Sequence, residues 1–332
     1  MEAPCPPNIS LMKTGNNLMN EFHSVQHVQT VIREVGKVIV GKDEILVKVL
    51  LAVLAGGHIL MEDIPGVGKT TLAIALSKAL GLDYNRVQFT PDVLPSDITG
   101  YSIYDRDSSE MRYQKGAVLC NLFLADELNR ATSRTQSALL QAMEEGQVTV
   151  DNRTYPVPQP FVVIATQNPS GARGTQMLPD SQMDRFMLRL SMGYPAHEDE
   201  IEMLRRKQQG ISVDAVRQVL SREELIQIRH EVEHIFVKDE LLDYIVRLCD
   251  ATRRDSRIAQ GASPRASLAL TSLSKAAALI QGRDYVLPKD VRFIFRDCIE
   301  HRLLWSPDFP DPDSRQTALQ EIFSGVKAPS IR

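Results

Sequence analysis

The run Glu62-Asp63-Ile64-Pro65-Gly66-Val67-Gly68-Lys69-Thr70-Thr71 gathers the residue types that phosphate chemistry needs. Gly66 and Gly68 lack a Cβ, so the backbone N–H groups around them can close on an anion. Lys69 brings a cation to the β- and γ-phosphates of a nucleotide, and the Thr70 hydroxyl can ligate Mg2+. The apolar stretch His58-Ile59-Leu60-Met61 precedes this run, and helical spacing follows it from Thr70 to Leu80. Strand, loop and helix in that order aim the free N–H groups of a helix start at the same anion, which separates a phosphate loop from a chance glycine turn. The full pattern G-x-x-x-x-G-K-[ST] asks for glycine where this chain has Asp63, so the first turn of the loop departs while its Gly-Lys-Thr end is intact. Pro65, Gly66, Val67, Gly68, Lys69, Thr70 and Thr71 are the expected ATP-binding residues.

Two further groups follow in the order that ATP hydrolysis requires. Asp126 ends the apolar run Leu119 to Ala125, and Glu127 comes next. An acidic residue there holds the hydration shell of Mg2+, and its neighbour can polarise an attacking water as general base. An acidic pair that merely caps the next helix is the plainer alternative. It does not explain why the pair follows a phosphate loop at the end of a second buried strand. Asn168 closes a third apolar run, Phe161 to Thr166, where an amide can position the water. Asn before Pro is also an ordinary turn signal, so Asn168 gains weight only from its place as third element.

The chain between these groups must bring them together. Apolar runs without alternation suit a parallel sheet covered on both faces. Helical spacing recurs at 23–35, 42–54, 70–80 and 134–145, the last stopped by Gly146. Tyr101 to Tyr113 and Gln147 to Val157 read as inserted β-hairpins, turning at 105–109 and at Asp151-Asn152. After about Pro195 the spacing is helical at 198–208, 222–233, 238–254, 264–281 and 288–301, with no convincing strand. The expected organisation is a mobile segment 1–20, an α/β nucleotide-binding core 21–194 and a smaller all-helical lid domain 195–332.

Composition narrows the function classes. The 332 residues are 43% hydrophobic and 24% charged, with formal net charge −4, so a strongly basic nucleic-acid surface is not evident. The start, with Pro4, Pro6 and Pro7, is no signal peptide, and no stretch of about 18 apolar residues would insert in a membrane. Cys5, Cys120, Cys249 and Cys298 form no metal or disulfide spacing and read as thiols of a cytoplasmic protein. His23 and His27 stand four apart on a helix but lack a third ligand. Ser137 and Ser181 have no base-and-orienter context. Arg205-Arg206-Lys207 and Arg253-Arg254 read as solvated helix faces.

With these residues in place the chain resembles the MoxR family of AAA+ ATPases, over roughly residues 28–301. The resemblance is carried by Phe89-Thr90-Pro91-Asp92-Val93-Leu94-Pro95-Ser96-Asp97-Ile98-Thr99-Gly100, by Asp126-Glu127-Leu128-Asn129-Arg130-Ala131, by the stretch 136–145, and by Gly261-Ala262-Ser263-Pro264-Arg265-Ala266. It implies a P-loop AAA+ core with a parallel sheet and inserted β-hairpins, then an all-α lid. Asp126 and Glu127 then match the Walker B pair and Asn168 matches sensor 1. Arg185 matches the arginine finger and Arg265 matches sensor 2. The hairpins match pore-side insertions, and Asp63 falls where related sequences vary. A homo-oligomeric ring of six, a client protein and a partner with a von Willebrand factor A domain are implied in the same way. From spacing alone, Arg185 would read as a surface ion pair with Asp184 or Asp180, and Arg265 as an exposed helix residue.

Three functions fit these features: an ATP-driven machine that remodels a partner protein, a motor on nucleic acid, and a nucleotide-dependent switch. The acidic balance disfavours the motor. Glu127 and Arg185 disfavour a switch, which has less need of a base and a finger.

Overall fold

In the computed structural model, residues 23–107, 109–168, 178–309 and 311–330 are described. The expected mobile segment 1–20 lies outside them. Two helices come first among the described residues, α1 (His23–Val35) and α2 (Asp43–Leu54). Leu46, Val49, Leu50 and Val53 place one apolar stripe of α2 in the core. Gly56 ends it at φ +75°, a left-handed conformation that glycine adopts without strain.

Strand β1 (Ile59–Glu62) leads through the glycine loop into α3 (Lys69–Ala79). Then come β2 (Tyr84–Gln88), the short α4 (Pro95–Thr99), the hairpin β3 (Gly100–Asp105) and β4 (Glu110–Lys115), and β5 (Leu122–Asp126). Helix α5 (Ser133–Glu145) starts where the Thr132 hydroxyl accepts the Thr135 N–H, and stops at Gly146 with φ +63°. The hairpin β6 (Gln147–Val150) and β7 (Arg153–Pro156) follows, then β8 (Val162–Gln167), α6 (Asp180–Met183) and β9 (Leu188–Leu190).

The sheet is parallel, in the order β2-β5-β8-β1-β9. Side chains alternate between its faces and divide the core in two. Ile59, Met61, Leu122, Leu124, Val162 and Ile164 face α1, α2, α3 and the C-terminal helices. Leu60, Phe123, Ala125, Val163 and Ala165 face α4, α5 and the second hairpin. Both hairpins form as expected. Asp151 and Asn152 turn the second at φ +49° and +62°, which these residues tolerate. The rings of Tyr113 and Tyr155 stack at 3.8 Å and tie one hairpin to the other.

The C-terminal region is helical: α7 (His197–Gln208), α8 (Arg222–His234), α9 (Asp239–Arg254), α10 (Pro264–Ile280), α11 (Pro288–Ile299) and α12 (Pro312–Gly325). Ser221 and Glu224 close a capping box at the start of α8. One feature corrects the expectation of helices alone. Strands β10 (Ile258–Gln260) and β11 (Leu304–Trp305) pair antiparallel. Two and three residues are too few to show a period of two. Strands β2 and β9 also escape the sequence pattern. The first is an edge strand carrying Asn85, Arg86 and Gln88, and the second has three residues.

Candidate active site

Gly66 and Gly68 take φ +87° and +98°. A Cβ on Gly66 would meet nothing within 4 Å, so its requirement for glycine is conformational rather than spatial. The turn they make leaves Lys69 as the first residue of α3, only 8% exposed. Its ammonium donates to the carbonyl oxygens of Asp63 at 2.8 Å and Ile64 at 3.1 Å. Burial lowers the Lys69 pKa, while the carboxylates of Asp63, Asp126 and Glu127 act to raise it. A buried cation held by neutral carbonyls is suited to exchange them for phosphate oxygens.

Asp63 explains the departure from the glycine pattern. Its buried carboxylate accepts the Ser191 hydroxyl at 2.8 Å and the N–H groups of Met192 and Gly193 at 2.5 and 3.0 Å. Glycine at this position would leave those donors without the acceptor. The loop is thereby tied to the segment that leaves β9 towards the C-terminal helices.

Asp126, Glu127 and Asn168 meet at the carboxyl ends of β5 and β8. The Thr166 hydroxyl donates to Asp126 at 2.7 Å and accepts the Glu127 N–H at 2.8 Å, locking the two acidic residues to the adjacent strand. Arg86, two residues short of the Asp126 level on β2, donates to the other Asp126 oxygen at 2.7 Å. Glu127 has φ +55°, a strained conformation for a residue with a Cβ. Its carboxylate accepts from Arg130 at 2.8 Å and from the Asn168 amide at 3.1 Å. Those bonds, Arg130's foremost, hold its pKa below the ordinary carboxylate value against the effect of burial.

Arg185 and Arg265 are not with this group. His58, just before β1, has its Nε2 3.1 Å from the Met143 carbonyl, which puts the end of α5 at the amino edge of the sheet. Arg185 precedes β9, whose Leu188 pairs with Ile59 at the start of β1. It therefore lies on that edge too, separated from the glycine loop by the length of β1, about 13 Å at ~3.3 Å per residue. Arg185 pairs with Glu144 of α5 and donates to the Leu140 carbonyl at 3.1 Å. Arg265, at the start of α10, ends on the same Glu144 carboxylate. Arg185 pairs with Glu144 rather than with Asp184, while Arg265 is an exposed residue at the start of its helix, as its spacing suggests. The side chains of Asp180 and Ser181 lie outside the described residues, as does that of His23. No group of three metal-ligating side chains occurs among the described residues.

Thr166, Arg86, Arg130 and Glu144 escaped the sequence reading. Thr166 and Gln167 gave a usable signal, since polar residues within a fully buried run need a reason. The others lie on exposed faces where charge is ordinary.

Comparison with known proteins follows the same lines. Residues 58–188 match the profile of the ATPase family associated with various cellular activities (AAA), and residues 250–322 match the AAA lid domain. The chain is 42% identical over 302 residues to the uncharacterized protein YeaC of Bacillus subtilis, across 91% of this chain and 94% of that one. It is 38% identical to Chaperone MoxR1 of Mycobacterium tuberculosis, across 96% of this chain and 85% of the relative. A crystal structure from Cytophaga hutchinsonii, described as that of a candidate ATPase, matches with TM-score 0.87 at 37% identity. It covers 93% of this chain and 97% of that one.

Proposed function

We propose that this chain, which belongs to the MoxR family of AAA ATPases, spends ATP hydrolysis on remodelling a partner protein. The observation that carries the proposal is the apolar surface of the first hairpin. Tyr101, Ile103, Tyr104 and Met111 are exposed there, Tyr104 by 60%. Such side chains on a β-ribbon suit contact with unfolded or partly folded polypeptide more than with a phosphate backbone.

The catalytic reading assigns one role to each group. Pro65, Gly66, Val67, Gly68, Lys69, Thr70 and Thr71 bind the ATP phosphates. The Thr70 hydroxyl and the Asp126 carboxylate are hard oxygen donors, and that donor set suits Mg2+. When bound, Mg2+ supplies charge neutralisation on the phosphoryl oxygens. Thr166 and Arg86 keep the Asp126 carboxylate in one orientation. Glu127 takes the proton of the attacking water, and Asn168 orients that water. Arg185 and Arg265 lie on the opposite sheet edge from their own glycine loop, so they serve the γ-phosphate held by a neighbouring subunit. Head-to-tail contacts that close give a ring, here of six copies. Residues 21–194 form the nucleotide-binding core and 195–332 the lid. No described helix is long and apolar enough to cross a membrane. We place the protein in the cytoplasm, where the buried thiols of Cys120, Cys249 and Cys298 stay reduced. A von Willebrand factor A domain protein is the adaptor this reading expects.

The test is ATPase rate with an unfolded polypeptide such as reduced casein, set against single-stranded DNA. Polypeptide should stimulate turnover, and Tyr104→Ser with Met111→Ser should remove the stimulation but keep basal turnover. Stimulation by DNA alone would replace remodelling with a nucleic-acid motor. Tight ATP binding with negligible turnover under every condition would make the protein a switch.

A further inference from the structure

Arg185 is the middle residue of Asp184-Arg185-Phe186, and the C-terminal helices hold both of its neighbours. Ser263, at the N-cap position of α10, donates its hydroxyl to the Asp184 carboxylate at 3.0 and 3.2 Å from its two oxygens. Arg302, in the 3-10 turn that follows α11, lies 3.6 Å from the same carboxylate and donates to the Phe186 carbonyl at 2.8 Å. The Nε2 of His301 is 2.9 Å from that carbonyl. The Arg302 side chain is only 3% exposed. The Arg185 side chain between these anchors is 29% exposed. Two residues beyond Ser263, Arg265 ends on the Glu144 carboxylate that Arg185 also meets.

Burying a guanidinium is costly, and an apolar side chain would join these segments without that cost. What the guanidinium adds is direction. Its planar fork fixes two points on a segment of three residues and so fixes the path of the residue between them. The geometry points to Arg302, aided by Ser263, as the positioning residue for Arg185: the C-terminal helices set the angle at which one subunit presents Arg185 to the next. This rests on the reading of Arg185 as a residue that acts in a neighbour's site. Arg302 touches neither nucleotide nor water in that scheme. A shift of the C-terminal helices then alters hydrolysis next door.

The experiment uses full-length Arg302→Lys, which keeps the charge and loses the fork, and Ser263→Ala. For Arg302→Lys, affinity for a fluorescent ATP analogue and KM should hold while kcat falls on the order of 10- to 100-fold, as small misplacements of a catalytic group do. Ser263→Ala should move kcat in the same direction by less. The decisive arm is complementation in rings shown by light scattering and tagged pull-down to be mixed. Lys69→Ala subunits, with Arg185 correctly placed, should restore turnover to Arg302→Lys subunits. Arg185→Ala subunits should not. A rescue by both partners, by neither partner, or a kcat of Arg302→Lys equal to wild type overturns the inference. The control pair Arg185→Ala with Lys69→Ala isolates the underlying reading. If that pair regains nothing in mixed rings, Arg185 does not act across subunits and the inference falls with it. If Arg302→Lys loses its cooperative melt, Ser263→Ala carries the same asymmetric test at smaller amplitude.

Discussion

The two edges of the sheet hold their charged groups by different means. At the carboxyl edge, Asp126, Glu127 and Asn168 are fixed by one another and by Thr166, all within the ends of β5 and β8 and the first residues beyond them. Parallel order alone brings these ends together, which is why ligand sites in open α/β sheets fall there. At the amino edge, Arg185 and Arg265 meet on Glu144, and Ser263, His301 and Arg302 hold the neighbours of Arg185. That cluster exists only once the C-terminal helices have closed on the sheet. The first edge is assembled by topology and the second by tertiary packing. On the proposed reading, a subunit binds nucleotide with a complete carboxyl edge, while what it offers its neighbour depends on the C-terminal helices.

The largest effect should come from the amino edge. Arg185→Ala is expected to lower kcat by about 10³- to 10⁵-fold, the range of arginine fingers, with ATP affinity unchanged by equilibrium titration. Equal losses in affinity and turnover would place Arg185 in its own subunit's binding site and dissolve the contrast between edges. At the carboxyl edge, Glu127→Gln should retain ATP binding and lose about 10²- to 10⁴-fold in turnover, since an amide cannot take up the proton. Near wild-type turnover in single-turnover assays would remove Glu127 from that role.

The same contrast decides how much was legible in advance. The glycine loop, Asp126, Glu127 and Asn168 could be read because each follows an apolar run whose end fixes its place. The core strands β1, β5 and β8 were legible for the same reason, being buried on both faces. Edge strand β2 is not, since Asn85, Arg86 and Gln88 break any apolar alternation and make it look like a loop. Arg185 and Arg265 are identifiable only through resemblance. Their spacing carries no signal, because Glu144 joins them from 41 and 121 residues away in the chain. Asp63 is a visible departure from the glycine pattern, but its reason lies in Ser191, Met192 and Gly193, which nothing local announces.

Acid should separate the edges by stability. His58 is part-buried at the amino edge, where its Nδ1 accepts the Val163 N–H and its Nε2 faces the Met143 carbonyl. Burial, joined by the nearby Arg229 guanidinium, pushes its pKa down from 6.5 to about 4. A base whose folded pKa is depressed stays neutral in the folded chain while the unfolded chain takes up a proton. Stability is then full above about pH 6.5 and declines as pH falls towards 4. At about pH 5 this amounts to at most on the order of 2 kcal/mol. Urea unfolding at pH 7.5 and 5 should show a steeper loss for wild type than for His58→Gln. Parallel losses in the two proteins would mean that His58 already titrates normally in the fold.

The smallest expected effect concerns Arg130, and it tests whether the carboxyl edge tunes its own base. Arg130 is an exposed residue one turn beyond Glu127, and its bond to the carboxylate is the largest cause of the lowered Glu127 pKa. The Asn168 amide acts in the same direction, while burial opposes both. A proton acceptor works only when deprotonated, so kcat should fall on the acid side as pH drops through the Glu127 pKa. Removing Arg130 removes a group that favours the charged form. In Arg130→Ala the acid limb of the kcat–pH profile should therefore move to higher pH. On the plateau above it the rate should change less than tenfold, since a slightly stronger base gains little. Asn168→Ala should move the limb the same way, but it also removes the group that orients the water, so its plateau should drop. The pair of profiles thus separates tuning from orientation. A limb that stays in place in Arg130→Ala would show that Glu127 leaves Arg130 once nucleotide binds, or that the limb belongs to another group. The double variant Arg130→Ala, Glu127→Gln decides between these: a limb that survives in it cannot belong to Glu127.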